Sequence, residues 1–272
     1  MEPERLRTKL LVRIGADVIY LARSCIREGL NMAAKVVVVG GVGDVLGRAI
    51  ARRFAREGMV AALVARDAAR LERIAVEIRA EGGKAQAYPA DMTVEAEVVQ
   101  LFERVETDLG EAQAAAYVAA TRVEGSIVDT SSADFESTWR LSCYSGFLFG
   151  REAARRMLPR GAGSILFTGA TGSFRGRGQF GAFDAAKGAL RHMAQSMARD
   201  LGPKGIHVAN VMIDGPIESE RMRKAYPERM AALGPDGAVH PDDIAETYWH
   251  VHCQPRNAWT LEVDLRPWSE KF

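Results

Sequence analysis

The fold of this chain is decided by the stretch Lys35-Val36-Val37-Val38-Val39-Gly40-Gly41-Val42-Gly43-Asp44-Val45-Leu46-Gly47-Arg48-Ala49-Ile50. Four consecutive valines predict a strand buried on both faces, because β-branched side chains pack well on a pleated surface with no wet side. The glycines then allow a sharp turn, and a helix is predicted from Leu46 to Glu57 with Gly58 as its stop. A strand, a glycine turn and a helix in this order direct free backbone N–H groups and a helix N-terminus at a pyrophosphate.

The composition is that of an ordinary globular protein. The 272 residues suit one α/β domain, or one domain with a small extension, and the hydrophobic share of 47% is enough for a normal core. A formal net charge of +1 gives no reason to expect nucleic acid as a partner. Cys25, Cys143 and Cys253 are widely separated and form no CxxC motif. A reducing cytoplasm is therefore predicted rather than a disulfide framework.

The first 31 residues differ from the rest. An apolar stretch from Leu10 to Ala22, flanked and interrupted by charges, is too short and too charged to span a membrane, and no signal cleavage site follows it. Apolar residues at helical spacing predict an amphipathic helix that could contact a membrane, cover a partner or pack on the domain, and a little-structured leader is the alternative. Residues 1–32 are therefore predicted as an N-terminal extension, helical or disordered, and residues 33–272 as a dinucleotide-binding domain.

From Met32 onward, strand and helix patterns alternate, which predicts a parallel sheet with helices on both faces. The further predicted strands are Val60–Ala65, Ala85–Ala90, Ala114–Ala120, Gly163–Thr168, Ile206–Ile213 and Ala258–Leu265. The further predicted helices are Asp67–Ala80, Val94–Leu109, Asp134–Leu158, Phe183–Leu201 and one that begins at His240-Pro241. The predicted fold class is α/β, as a single doubly wound Rossmann-type domain with a mostly parallel sheet.

The order of these motifs over about residues 33 to 265 resembles the short-chain dehydrogenase/reductase family. The family's glycine turn is similar to Gly41-x-x-x-Val45-Leu46-Gly47, where Val45 replaces the middle glycine and Gly43 can take over its task of letting backbone approach a phosphate. Asp91-Met92-Thr93 is similar to the family's acidic pair at the adenine, and Tyr117-Val118-Ala119-Ala120 keeps only the alanine of the family's Asn-Asn-Ala-Gly element. Asp214-Gly215-Pro216-Ile217 resembles the loop over the nicotinamide. The resemblance implies cofactor contacts from Gly41, Gly43, Leu46, Gly47, Asp91, Met92, Ala119, Lys187 and Ile217.

The family's proton relay is largely missing. A tyrosine in a Tyr-x-x-x-Lys motif supplies the proton in this family, supported by a serine and an asparagine, and the motif here reads Phe183-Asp184-Ala185-Ala186-Lys187. The serine position holds Ala170, with Thr171 beside it, and the asparagine position holds Ser142. Because Phe183 has no proton to donate, Lys187 alone remains of the four. It either positions the nicotinamide ribose or lies on a solvated helix face.

Another residue could donate the missing proton. Tyr117, where the fourth strand ends, is a candidate replacement acid, although core packing is the commoner role of such a tyrosine. Tyr144 is a second candidate, whereas Thr171 and Ser173 could bind a substrate oxygen but are poor acids. A general acid contributes roughly 10²–10⁴-fold, so its loss weakens activity without necessarily abolishing it. The predicted catalytic residues are Lys187, Ser142, Thr171 and Tyr117.

The choice of cofactor depends on the residues after the second strand. Arg66 follows Ala65 there, and a guanidinium at this point can bind a 2′-phosphate bidentately, which favours NADP over NAD. Asp44 and Asp67 oppose that preference, because a carboxylate repels a phosphate. A surface arginine in the turn before a helix is the alternative interpretation of Arg66.

Three further signals concern ligands and partners. His250 and His252 have no additional ligands spaced to join them, so no metal site is predicted. The basic loop Arg175-Gly176-Arg177-Gly178 could bind a carboxylate or phosphate of a substrate, or act as a mobile lid. A homodimer or homotetramer is predicted from Trp259, Trp268 and an apolar helix face, and that face comprises Ala186, Ala189, Leu190, Met193, Ala194 and Met197.

These observations predict an NAD(P)-dependent oxidoreductase that acts on a small-molecule substrate with a non-standard proton donor. The second hypothesis is a catalytically silent protein that binds the cofactor for regulation, because Phe183, Ala170 and Ser142 replace three catalytic partners at once. A third is an enoyl-thioester-type reductase, some of which also keep the lysine without the tyrosine, or a lyase or isomerase that needs no hydride.

Overall fold

The computed structural model describes residues 35–270 and contains a seven-stranded sheet. The strands are β1 Val36–Gly40, β2 Val60–Ala65, β3 Lys84–Pro89, β4 Ala112–Tyr117, β5 Gly163–Ala170, β6 Ile206–Ile213 and β7 Glu262–Leu265. They follow the order β3-β2-β1-β4-β5-β6-β7, and every neighbouring pair is parallel. This arrangement confirms the predicted doubly wound α/β fold. The helix predicted within residues 1–31 lies outside the described residues, and the boundary between 1–32 and 33–272 stays a prediction.

Helices connect the strands. They are α1 Leu46–Arg56, α2 Ala68–Ala80, α3 Glu95–Leu109, α4 Ser132–Trp139, α5 Ser145–Met157, α6 Gly181–Leu201, α7 Glu220–Ala225, α8 Pro227–Ala232 and α9 Pro241–His252. A π-helical turn, Arg140–Tyr144, joins α4 to α5. Short 3₁₀ turns cover Leu158–Arg160, Thr171–Ser173 and Gly202–Lys204.

The four valines of β1 hold the two halves of the core together, and all four are fully buried. Side chains alternate between the faces of a strand, so Val36 and Val38 join the cluster formed with α3, α5 and α6. Val37 and Val39 join the opposite cluster, formed with α1, α2 and α9. The structure therefore agrees with the prediction that β1 is buried on both of its faces.

The predicted helix Asp134–Leu158 is helical throughout but not a regular α-helix, because the π-helical turn lies within it. The hydroxyls of Ser145 and Tyr117 both donate to the carbonyl oxygen of Leu141. Such side-chain bonds compete with the regular backbone pattern of a helix, and π-turns accommodate one extra residue. Tyr117 lies on β4, so the sequence of the helix alone carries no sign of this interruption.

Two segments near the C-terminus also differ from the prediction. The region after β6, where the sequence predicted only a turn, contains α7 and α8, and the Ser219 side chain caps α7 by accepting from the backbone N–H of Met222 at 3.2 Å. The last strand covers Glu262–Leu265 rather than Ala258–Leu265. Its predicted first half is held instead by Gln254, whose side-chain oxygen accepts from the Thr260 N–H at 2.8 Å.

Half of the helix face predicted as a subunit contact is buried within the chain. Ala186, Leu190 and Ala194 are each at most 1% exposed, and Leu190 and Ala194 belong to the core beside β1. Trp259 stacks on His207 with ring centroids 4.8 Å apart, whereas Trp268 is 82% exposed. Ala189, Met193 and Met197 of the same face are half-buried. The α6 face is therefore only partly covered within the chain, and the homo-oligomer stays a prediction.

Candidate active site

A groove runs along the carboxyl ends of the central strands. One part, of about 410 Å³, lies beside Gly41 and Asp91, and the other, of about 690 Å³, lies beside Lys187. Val118 and Ala120 line both parts, so the two cavities are adjacent. The strand order reverses between β1 and β4, and doubly wound folds bind ligands in the crevice at such a point.

Gly41, Gly43 and Gly47, which follow β1, have different structural roles. Gly41 has φ +93°, and a Cβ there would lie 2.6 Å from the Cα of Ala119. A Cβ on Gly47 would lie 2.7 Å from the Cα of Val42. A Cβ on Gly43 would meet nothing within 4 Å, so Gly43 leaves open space at the groove rather than relieving a clash inside the fold.

The turn leads into a helix N-terminus with no side-chain cap. The residue before α1 is Val45, whose side chain makes no cap hydrogen bond and lines the larger cavity together with Leu46. The N–H groups in the first turn of a helix have no intrahelical acceptor and carry partial positive charge. The N-terminus of α1 is therefore suited to bind an anion such as a pyrophosphate.

Arg66, Asp91, Met92 and Ala119 line the smaller cavity. Arg66 is exposed, and within residues 35–270 its guanidinium forms no hydrogen bond or ion pair. The carboxylate of Asp91 accepts from the backbone N–H of Thr93 at 2.9 Å and from its hydroxyl at 2.7 Å. Burial opposes ionisation of Asp91, but these hydrogen bonds outweigh it and lower the pKa of the carboxyl group.

Asp44 and Asp67, the two carboxylates expected to repel a 2′-phosphate, both form ion pairs with arginines of α2. Asp44 pairs with Arg73 and lies 3.6 Å from Arg70, and the hydrogen bond from Arg73 lowers its pKa. Asp67 caps α2 by accepting from the backbone N–H of Arg70 at 3.0 Å, and its carboxylate also lies 3.3 Å from the Arg70 guanidinium. Neither carboxylate therefore leaves an uncompensated negative charge beside Arg66.

Lys187 is buried at the wall of the larger cavity rather than on a solvated helix face. Its side chain is 3% exposed, and its Nζ donates to the carbonyl oxygen of Thr168 at 2.8 Å. Burial lowers the pKa of Lys187 to about 8. Phe183 lies one turn earlier on α6 with its ring centroid 5.9 Å from Nζ, because residues four apart share a helix face.

Thr171 and Ile217 also line the larger cavity, as does Ala170. The hydroxyl of Thr171 donates to Asp214 at 2.7 Å, and Asp214 is fully buried. Arg175 lies 3.2 Å from the same carboxylate. The proton of Thr171 is thus directed at Asp214 and away from the open space of the cavity.

Three hydroxyl-bearing residues considered for the proton relay, Tyr117, Ser142 and Tyr144, do not line the groove. Tyr117 is fully buried, its hydroxyl bonds to Leu141 and Ser145, and burial raises its pKa above the ordinary value. Ser142 is fully buried, and its hydroxyl has no hydrogen-bond partner in the described part of the chain. Tyr144 stacks on Trp139 with centroids 5.9 Å apart. None of these hydroxyls is open to a ligand in the groove.

Sequence reasoning missed four residues at this site. Cys143, next to Ser142 in the π-helical turn, interacts electrostatically with Lys187, so that each group influences the pKa of the other. Burial raises the pKa of the Cys143 thiol. Arg122, Arg221 and Tyr226 line the larger cavity. They lie in a loop and in the region of α7 and α8, where the sequence shows no motif and no periodic pattern that could have drawn attention to them.

A family model described as short chain dehydrogenase matches residues 35–230. The chain belongs to the short-chain dehydrogenase/reductase family. Short-chain dehydrogenase/reductase eriH from Hericium erinaceus is 34% identical over 181 residues, which span 64% of this chain and 72% of the relative. A chloroplastic NADPH-dependent aldehyde reductase-like protein from Arabidopsis thaliana is 29% identical over 228 residues, which span 77% of this chain and 84% of the relative.

Solved structures agree with this assignment. A crystal structure of a short-chain dehydrogenase from Rhodopseudomonas palustris matches with a TM-score of 0.74 and 36% identity, covering 88% of this chain and 100% of that one. Membership confirms the resemblance inferred from the motifs and places this short-chain dehydrogenase/reductase among oxidoreductases. In residues 35–270 no group of three His, Cys, Asp or Glu side chains could hold a metal ion. No helix within the same range has the length and apolar character needed to cross a bilayer.

Proposed function

We propose that this short-chain dehydrogenase/reductase binds NADP and exchanges a hydride between it and a small carbonyl or alcohol substrate, with a proton donor other than the family's tyrosine. The observation that carries the proposal is the pair of adjacent cavities that extends from Arg66, past the glycine turn, to Lys187. The name of the Arabidopsis thaliana relative, an NADPH-dependent reductase-like protein, supports the choice of cofactor.

The residues along the groove suit the parts of a dinucleotide. The open space at Gly43 and the uncapped N-terminus of α1 would hold the pyrophosphate, with Gly41 and Gly47 shaping the turn. Arg66 would bind the 2′-phosphate bidentately, and Asp91 with Met92 would contact the adenine. The remaining contacts would come from Leu46, Ala119, Lys187 and Ile217.

Bound NADPH would supply the hydride, and the chain must supply the proton that reaches the substrate oxygen. We assign that proton to Lys187. Phe183 has none to give, and the Thr171 hydroxyl donates to Asp214. A general acid works best when its pKa is near the working pH, and the pKa of Lys187 is about 8. In reduction, Nζ would give a proton to the oxygen as the alcohol forms and regain one from water.

Thermal unfolding with NADPH and with NADH tests the cofactor assignment. We expect NADPH to raise the unfolding temperature more than NADH, and Arg66→Gln to remove that excess. The matched control is Arg229→Gln, because Arg229 is an exposed arginine of α8 that lines neither cavity. If neither nucleotide raises the unfolding temperature, the proposal fails. Equal shifts would overturn only the preference for NADP.

The second candidate function is cofactor binding without turnover, favoured by the absence of a hydroxyl at both Phe183 and Ala170. The pair of variants Phe183→Tyr and Phe183→Tyr/Ala170→Ser separates the two functions when assayed with NADPH over a panel of ketones and aldehydes. Turnover by the parent chain supports the oxidoreductase. Turnover that begins only in the variants, from a parent that binds NADPH, supports the silent protein.

A further inference from the structure

We propose that the substrate carries an anionic group, a carboxylate or a phosphate, which Arg122 and Arg221 bind at the larger cavity. This inference rests on the proposed function, because it assigns a substrate class to the same site. It concerns the part of the cavity that the predicted cofactor contacts leave free.

The charged residues that line the larger cavity are strongly unbalanced. Four are cationic and one is a carboxylate: Arg122, Arg177, Lys187 and Arg221 against Glu124. The whole chain is nearly balanced, with 36 lysines and arginines against 35 aspartates and glutamates. Asp184 compensates the charge of Arg177, but the remaining cations, Arg122, Lys187 and Arg221, still outnumber Glu124. The excess of positive charge is thus a local property of this cavity, and it favours a ligand with negative charge.

The basic loop expected to bind such a ligand has its charges compensated from within the chain. Asp184 accepts from both the backbone N–H and the Nη2 of Arg177, each at 2.7 Å. Arg175 lies 3.2 Å from Asp214 and 3.7 Å from Glu270. The loop from Arg175 to Gly178 is therefore fixed by internal ion pairs.

Arg122 and Arg221 differ from those two arginines. Both are exposed, and neither forms a hydrogen bond or an ion pair with any residue in the range 35–270. A guanidinium that lines a cavity without a carboxylate partner keeps all of its N–H donors for a ligand. Carboxylate and phosphate oxygens match that fork of donors bidentately.

Arg122 is nevertheless held in place. Its guanidinium lies over the ring of Phe180, 4.9 Å from the centroid, a cation–π contact that uses none of its N–H donors in a hydrogen bond to another residue in the range 35–270. The two loops concerned are joined, because the backbone N–H of Gly125 donates to Gln179 at 2.9 Å and Gly125 forms a parallel bridge with Phe180. Arg122 is thereby preorganised, which reduces the ordering cost of binding.

Binding of matched probe pairs tests the inference on the full chain. The pairs are 4-oxopentanoate with its methyl ester, and dihydroxyacetone phosphate with dihydroxyacetone, and they separate a carboxylate from a phosphate as the source of the charge. Dissociation constants are measured by titration calorimetry, with and without saturating NADP⁺. We expect the charged member of at least one pair to bind about tenfold tighter or more than its neutral partner, as charged hydrogen bonds allow.

Two variants and a control complete the experiment. Arg122→Gln and Arg221→Gln should each reduce the preference for the charged probe about tenfold, whereas Arg229→Gln should keep it. Equal affinity for the charged and neutral members of both pairs would overturn the inference. So would an Arg221→Gln variant that weakens NADP⁺ binding but not probe binding, since Arg221 would then contact the cofactor. A charge preference that persists while NADP⁺ fails to bind would support the anion site and refute the cofactor proposal.

Discussion

The Nζ of Lys187 donates a hydrogen bond of 2.8 Å to the carbonyl oxygen of Thr168, at the carboxyl end of β5. That bond holds the long, flexible side chain of Lys187 in place. Phe183 and Ala170 stand where the family has a tyrosine and a serine, so neither of them offers Lys187 a hydroxyl group. The ammonium is consequently the buried ionisable group at the wall of the larger cavity, and its charge state governs both stability and the proposed chemistry.

Replacing Lys187 with methionine should stabilise the fold at pH 7. Burial lowers the pKa of Lys187 to about 8, below its unfolded value near 10.4, so the buried charge costs free energy while both states are protonated. The loss of the bond to Thr168 offsets part of the gain, which leaves an increase of about 1–2 kcal/mol in the free energy of unfolding.

Urea unfolding of the parent and of Lys187→Met at pH 7 and pH 10 measures this effect. Between about pH 8 and pH 10.4 the unfolded parent binds more protons than the native parent, so parental stability rises with pH relative to the variant. The difference in the free energy of unfolding between the parent and Lys187→Met should therefore become smaller over that pH range. A gap of the same size at both pH values would show that the native amine is not the titrating group.

The pH dependence of turnover tests Lys187 as the donor. The kcat/KM for carbonyl reduction should fall above about pH 8, because a deprotonated amine has no proton to give. Tyr226→Phe is the matched control, since Tyr226 is the one tyrosine in residues 35–270 that lines the larger cavity. Loss of turnover in Tyr226→Phe, with NADPH binding retained, would assign the proton to the tyrosine instead.

Two glycine substitutions should have opposite consequences. Gly41→Ala should lower the free energy of unfolding by about 2 kcal/mol or more, because φ is +93° and the new Cβ would collide with Ala119. Gly43→Ala should leave stability nearly unchanged and weaken NADPH binding, since its Cβ would enter only open space at the groove. Urea unfolding and fluorescence titration of NADPH measure the two effects. Unchanged NADPH affinity in Gly43→Ala would contradict the assigned pyrophosphate site.

Tyr117→Phe should affect stability and not catalysis. The hydroxyl is buried and bonded to Leu141 and Ser145, so its removal should lower the free energy of unfolding by about 1 kcal/mol. Because the hydroxyl does not face the groove, kcat and KM should stay within twofold of the parent values. A hundredfold loss of kcat would restore Tyr117 as a candidate acid, in line with the usual contribution of such a group.

Local patterns in the sequence were sufficient to predict the sheet. The valines at 36–39 and the glycine at position 41 each reflect a constraint that acts within a few residues, namely burial on both faces and a turn against Ala119. Ten of the thirteen predicted site residues line the groove, the others being Gly47, which shapes the turn beneath it, and the buried Ser142 and Tyr117.

What the sequence did not reveal depends on contacts between distant segments. The Tyr117 hydroxyl, on β4, bonds to the π-helical turn of another segment, and Cys143 of that turn interacts electrostatically with Lys187. Asp184 pairs with the guanidinium of Arg177, whereas no carboxylate in residues 35–270 pairs with Arg122. Which arginine has a partner depends on where the fold places the side chains, and the sequence alone does not give that placement. Tyr226 could not be found because α7 and α8 are each only six residues long.

The π-helical turn Arg140–Tyr144 sets the rotational phase of the chain on its two sides. An α-helix rotates by about 100° per residue, so one residue more or fewer would swing every side chain beyond the turn to a different direction. Tyr144, whose ring now stacks on Trp139, would then turn away from that partner. The length of this turn therefore matters more for the packing of α5 than the identity of any one residue in it.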